Sequence, residues 1–182
     1  MKKILIFFCV SMLAISAKAQ KNRYTHADTL KGTYGPARAW WDLKSYDLSV
    51  KFNLSDSSIS GTNHIYYNAI SSNTIMQLDL MPPMQIDSII HYSMQCKFKR
   101  DGSAYFVELP AEQLIGVTNE VLVYFHGKPL VAKRPPWDGG VVWTKDDMGN
   151  PWVSIACQGM AAQVWFPNKD HMADEPENVI MH

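Results

Sequence analysis

The sequence predicts an all-β fold, an antiparallel multi-stranded sandwich or saddle-like β-domain, and three observations carry that reading. Apolar and polar residues alternate over two long stretches: Tyr46, Leu48, Val50, Phe52 and Leu54, then Ile90, Tyr92, Met94, Cys96 and Phe98. A period of two places one set of side chains on a core face and the other in solvent. Shorter apolar runs then recur at 65–69, 76–80, 121–125, 141–143 and 152–157, bounded by Gly, Pro, Asn or Asp. The prolines at 82–83, 110, 129, 135–136 and 151 fall between these runs, where a missing N–H does not interrupt a ladder.

Taken in order, residues 1–19 read as a secretory signal peptide. Lys2 and Lys3 form a basic start, Ile4 to Ser16 an apolar run of 13 residues, and Ala17-Lys18-Ala19 a small-x-small cleavage motif that leaves Gln20 at the mature N-terminus. That run is short of the roughly 20 apolar residues needed to cross a bilayer. The protein is therefore expected to be exported, to the periplasm or the exterior. Residues 20–38 are polar, carry Gly32, Gly35 and Pro36 and show no apolar period, so they read as an N-terminal arm. The β-domain is expected to occupy 39–182.

Within it, the run 46–55 predicts a half-buried strand. The run 90–98, the Asp101-Gly102 turn and Tyr105, Val107 and Leu109 predict an antiparallel hairpin. Ala111 to Leu114 is the one stretch that suggests a helical turn. Val179-Ile180-Met181 begins a new apolar run that stops without turn or cap, so the domain is expected to be incomplete at its C-terminus, with that run lacking a strand partner.

Composition narrows the function. The 182 residues suffice for one core, and 47% hydrophobic with 19% charged residues excludes a disordered or fibrous chain. Signal cleavage removes three of the 17 basic residues and none of the 17 acidic ones, leaving a net charge of −3. No positive field draws such a chain to nucleic acid. Cys96 and Cys157 remain after cleavage; an oxidising compartment lets them pair where the fold brings them together, and both lie in apolar runs that suit buried thiols.

Catalytic motifs are sparse. No His-Glu-x-x-His, Cys-x-x-Cys or Gly-x-Ser-x-Gly occurs. His171, Asp174 and Glu175 have spacing that a helix would bring to one face, but Pro176 discourages that helix, and a polar loop is the plainer expectation. Cys157 as a nucleophile would need a cationic or helix-terminal environment that the sequence does not show. Six tryptophans allow an aromatic sugar platform, although such density more commonly packs a core. Asn53-Leu54-Ser55 matches a glycosylation acceptor but falls in the strongest predicted strand.

The distinctive stretch runs from Pro135-Pro136-Trp137-Asp138-Gly139-Gly140 through Cys157-Gln158-Gly159 to Trp165-Phe166-Pro167-Asn168-Lys169-Asp170-His171 and Asp174-Glu175-Pro176. Together with Arg38-Ala39-Trp40-Trp41-Asp42, Tyr46-Asp47-Leu48 and Leu78-Asp79-Leu80, it resembles the N-terminal β-domain of the M1 zinc aminopeptidases, the aminopeptidase N and leukotriene A4 hydrolase superfamily, and most of all their exported bacterial members. The resemblance implies a non-catalytic wall of a substrate cleft. The zinc ion and the catalytic residues belong to a later thermolysin-like domain of the same polypeptide, which would be this chain's partner along with the substrate's N-terminus. One residue role transfers: Gln158 stands where the family places a Gln or Glu beside the substrate's free α-amino group. The sequence departs from many relatives at Ala156, where they have Gln, and at Gln163, where they have Arg. The competing reading is a stand-alone extracytoplasmic module that binds peptide or glycan.

Overall fold

The structure, a computed structural model, describes residues 24–182; the signal-peptide expectation lies outside the described residues. Among the described residues two short helices come first, α1 (His26–Gly32) and α2 (Pro36–Ala39). Eleven strands follow: β1 (Trp41–Asn53), β2 (Ser58–Ala69), β3 (Ile75–Asp79), β4 (Gln85–His91), β5 (Met94–Gln95), β6 (Lys97–Asp101), β7 (Ala104–Glu108), β8 (Thr118–Gly127), β9 (Gly140–Lys145), β10 (Pro151–Ala156) and β11 (Asn178–Met181). A single 3₁₀ turn, η1 (Ala162–Val164), sits between the last two. The all-β expectation therefore holds.

Six strands form the main sheet in the order β11-β1-β2-β8-β4-β5; β3-β7-β6 make a second sheet and β9-β10 a two-stranded ribbon. Among the described residues, every ladder between two of these strands is antiparallel except that of β1 with β11. The long β1 alternates as predicted, but its inward residues run Trp41, Leu43, Tyr46 and Leu48. The change of phase coincides with a register shift between Leu43 and Ser45, where one extra residue re-aims the strand. β4 does the same between Ile86 and Ser88, so Ile86, Ile89 and His91 all point inward. One apolar cluster joins these faces to Met76 and Leu78 of β3 and to Tyr105 and Val107 of β7. Each fully buried side chain of this size contributes about 1.5–3 kcal/mol relative to exposure.

Several expectations need correction. The run 90–98 is not one strand. Tyr92 and Ser93 both have positive φ and form a two-residue hairpin that joins His91 to Met94, so β4 and β5 stay in the main sheet while β6 starts the second. Both central residues of a type I′ turn need positive φ, and without Asn or Gly there the sequence carries no local signal for it. The β6–β7 hairpin is as predicted, with Gly102 at φ +60° in its two-residue loop. Leu54 lies in the β1–β2 turn and is exposed; Asn53 ends β1, so the acceptor triplet sits at a hairpin end and not inside a strand.

The helical turn expected at Ala111 to Leu114 is absent, and the helices lie elsewhere. α1 is fixed by a capping box: the Asp28 amide donates to Thr25 Oγ1 (3.2 Å) and the Thr25 amide to Asp28 Oδ2 (2.8 Å). It buries none of its own residues, which is why no apolar period announced it. A seven-residue helix is marginal by itself, so tertiary ties must hold it. They include His26 with Asp101 (2.9 Å) and the Arg38 guanidinium, which donates to the carbonyls of Leu30, Lys31 and Thr33. Residues 24–38 are thus laced to the β-domain by hydrogen bonds that the arm reading did not foresee. Finally, Val179–Met181 has a partner: β11 pairs in parallel with β1, from Ser45 with Asn178 to Leu48 with Met181.

Candidate functional site

β10 delivers the chain to the Cys157–Ala161 turn, in which the Cys157 carbonyl accepts from the amides of Met160 (3.3 Å) and Ala161 (2.7 Å). Gly159 at φ +74° makes the reversal possible without steric cost, whereas Ala161 at φ +58° is held there by its surroundings. Gln158 rides on this turn. It is exposed, and its side chain makes no hydrogen bond among the described residues, so both amide donors and the amide oxygen are free to meet a ligand. Across from it, Lys31 of α1 donates to the Gly159 carbonyl at 2.9 Å.

The segment after the turn is packed in tightly. Trp165, Phe166, Asn168 and Lys169 are all buried. Asn168 exchanges backbone hydrogen bonds with Asp79 (2.8 and 3.1 Å), and Asn63 Nδ2 donates to the Pro167 carbonyl (2.8 Å). Lys169 points inward, donating to the Trp41 carbonyl and to Asp174 while its ammonium sits 4.0 Å from the Trp41 ring centre. Burial pulls the Lys169 ammonium below its ordinary range, against the opposing pull of Asp174. Beside it lies a second buried pair, Arg38 Nη2 with Asp79 Oδ1 at 2.7 Å. Gln77 Nε2 and the Asp170 amide complete the shell of Asp79 (3.0 and 3.1 Å). Burial pushes the Asp79 carboxyl up, and those three donors pull it down. The two pairs lock the 165–174 strap to β1 and β3 and so hold the Gln158 turn at the surface.

Other candidate residues are not assembled for chemistry. His171 accepts from the Ala173 amide through Nδ1 and faces the Gly32 carbonyl with Nε2, Asp174 is turned inward to Lys169 and the Leu43 amide, and Glu175 is exposed. Among the described residues no three His, Cys, Asp or Glu are grouped to hold a metal, so the side chains present do not fit a zinc site. Cys96 and Cys157 are both free. Burial raises the Cys157 thiol, the wrong direction for a nucleophilic thiolate. Of the tryptophans, Trp40, Trp41 and Trp165 are core and Trp137 and Trp152 are exposed. Trp143 and Trp152 border a notch of about 440 Å³ with Leu54 and Lys145.

Asp79, Lys169 and Asp170 stand in the sequence motifs with no role assigned to them there. An aspartate between two apolar residues in a strand buried on both faces, as in Leu78-Asp79-Leu80, was the available signal for a buried ion pair. Lys31 carried no such signal.

No family model matches the sequence, and no curated protein does either. Solved structures do. An M1 zinc metallopeptidase from Deinococcus radiodurans matches at 18% identity with a TM-score of 0.57, over 80% of this chain and 31% of that one. The yeast leukotriene A4 (LTA4) hydrolase in complex with bestatin matches at 13% identity with a TM-score of 0.62, over 91% of this chain and 25% of that one. The chain has the fold of the N-terminal β-domain of M1 metallopeptidases. A mutant of the Deinococcus enzyme bound to a Tyr-Ser-Ala substrate is similar to the same extent, at 17% identity and a TM-score of 0.57, over 77% of this chain and 31% of that one. The chain spans about a quarter to a third of the length of these M1 structures.

Proposed function

We propose that this chain is the N-terminal substrate-cleft domain of an exported zinc aminopeptidase, an enzyme that removes residues from peptide N-termini. The observation that carries the reading is an M1-type fold whose strap and turn present Gln158 exposed and without an internal partner. In this role the Gln158 amide oxygen accepts from the substrate's α-ammonium, a charge-assisted hydrogen bond. Its NH₂ group donates to a substrate or protein carbonyl. Zinc is bound by a downstream domain of the same polypeptide. That domain would rest near the exposed apolar residues Met172, Val179, Ile180 and Met181, of which Met172 and Val179 border a shallow cavity of about 340 Å³ beside the turn.

The test is the coding sequence beyond His182. The proposal expects an in-frame Gly-x-Met-x-Asn and then His-Glu-x-x-His. A stop codon directly after His182 would favour instead a module that binds peptide or glycan without chemistry, for which the Trp143–Trp152 notch is the specific support.

A further inference from the structure

The Gly159 carbonyl, one residue after Gln158, accepts a hydrogen bond from Lys31 Nζ at 2.9 Å across 128 residues of sequence. Among the described residues no backbone amide donates to it. We infer that Lys31 is a positioning residue for Gln158: it holds the turn in the orientation from which the Gln158 amide meets the substrate's α-ammonium. The inference rests on the role proposed for Gln158 above and extends it to the N-terminal helix.

The turn needs such a tie because its own chemistry leaves it loose. The Met160 amide donates to the Cys157 carbonyl at 3.3 Å, which makes Gln158 and Gly159 the two central residues. Gly159 has φ +74°, as the third position of a type II turn requires. Glycine visits positive and negative φ with similar ease, so the backbone directly after Gln158 is the part of the turn least restrained by sterics. Beyond it Met160 is braced, since a Cβ on Gly139 would lie 2.6 Å from the Met160 Cβ. The peptide plane between Gly159 and Met160 is then set by what its carbonyl meets, and that is Lys31.

Lys31 is itself anchored. Its own carbonyl accepts from the Arg38 guanidinium at 3.1 Å, and Arg38 is buried and paired with Asp79 of β3. A capping box fixes the other end of α1. A continuous run of contacts thus leads from β3 through Arg38 and Lys31 to the residue beside Gln158. The lysine brings a positive charge toward a site proposed to hold an ammonium, and Asp170 answers it. Burial raises the Asp170 carboxyl, and the Lys31 ammonium is foremost among the groups that pull it back. The hydrogen bond to Gly159 is therefore made by a cation whose field is already shared with a neighbouring carboxylate.

The experiment is steady-state kinetics of the full-length enzyme on an amino-acid arylamide, with Lys31→Met, Lys31→Arg, Gln158→Ala and the Lys31→Met/Gln158→Ala pair. Lys31→Met should raise KM about two- to tenfold, the range of one partly exposed hydrogen bond, with kcat near wild type. A role in folding alone would instead lower kcat through a smaller active fraction and leave KM unchanged. Removing a positive charge by itself would favour the substrate's ammonium and lower KM, so a rise reports the lost hydrogen bond. Lys31→Arg, which keeps a donor and the charge, should recover most of the loss. In the Gln158→Ala background Lys31→Met should add nothing, because the group it positions is gone. On the chain by itself, NMR should show the amide signals of Gln158, Gly159 and Met160 moved in Lys31→Met and restored in Lys31→Arg. Impaired Gln158→Ala beside a wild-type KM in Lys31→Met, a loss confined to kcat, additivity in the double variant, or unmoved amide signals would overturn this inference alone. Wild-type kinetics in Gln158→Ala would overturn the reading of Gln158 and this inference with it.

Discussion

Replacing Arg38 by Met should unfasten both the strap and the N-terminal helix. Arg38 is fully buried and makes four hydrogen bonds: to Asp79 at 2.7 Å and to the carbonyls of Leu30, Thr33 and Lys31 at 2.8, 3.0 and 3.1 Å. Methionine fills much of the same volume but leaves Asp79, itself 2% exposed, as an unpaired buried charge. Breaking a buried pair in this way costs about 3–5 kcal/mol. At about 2–4 °C per kcal/mol for a chain of this size, the melting temperature should fall by about 6–20 °C. Asp79 has a second route, protonation, which caps the penalty; Arg38→Met/Asp79→Asn should therefore recover part of the loss, with a coupling of about 1–3 kcal/mol in the double-mutant cycle. Urea unfolding followed by circular dichroism measures Arg38→Met, Asp79→Asn and the double variant. A loss below about 1 kcal/mol for Arg38→Met, or strict additivity, would refute the view that this pair fastens α1 to the β-domain.

Three further outcomes follow from the same geometry. Gly61→Ala should destabilise the chain, because a Cβ there would lie 2.2 Å from the Ser49 carbonyl oxygen of the neighbouring strand; thermal melts at wild-type level would contradict that close approach. Asp170 has its carboxyl raised by burial, so the stability it contributes is complete below the ordinary value of 3.8 and is lost as pH rises through the raised value. Asp170→Asn should flatten that part of the stability–pH curve, and an unchanged curve would show that Asp170 is not desolvated. Gln158→Ala should leave the melting temperature within about 1 °C, because an exposed side chain without partners contributes little to folding; a larger fall would place Gln158 in the packing.

What the sequence disclosed, it disclosed through periodicity. Tyr46 to Phe52, Ile65 to Ala69 and Val121 to Phe125 are strands because alternating or compact apolar runs have few other places to go. It failed where geometry is set by partners distant in the chain. α1 buries none of its residues fully and exists through its capping box and Arg38, whose role cannot be read without knowing that β3 passes beside it. Tyr92-Ser93 turns the chain with residues that rarely adopt positive φ, so the local pattern read straight through. The parallel partner of Val179–Met181 is β1, more than 130 residues earlier, and no short-range signal marks such a pairing. At the site, the motif residues Gln158 and Lys169 were visible as letters. That one is free at the surface and the other sealed against Trp41 required the fold.

The proposed role of Gln158, accepting from the substrate's α-ammonium, is tested most directly by the kinetics of Gln158→Ala in the full-length enzyme. Loss of one charge-assisted hydrogen bond worth about 1.5–3 kcal/mol should lower kcat/KM roughly 10- to 150-fold. Zinc content should stay at the wild-type level, and Gln158→Glu should retain more activity than the alanine variant. Wild-type kcat/KM in a folded Gln158→Ala enzyme would contradict the claim and leave Gln158 as an ordinary surface residue.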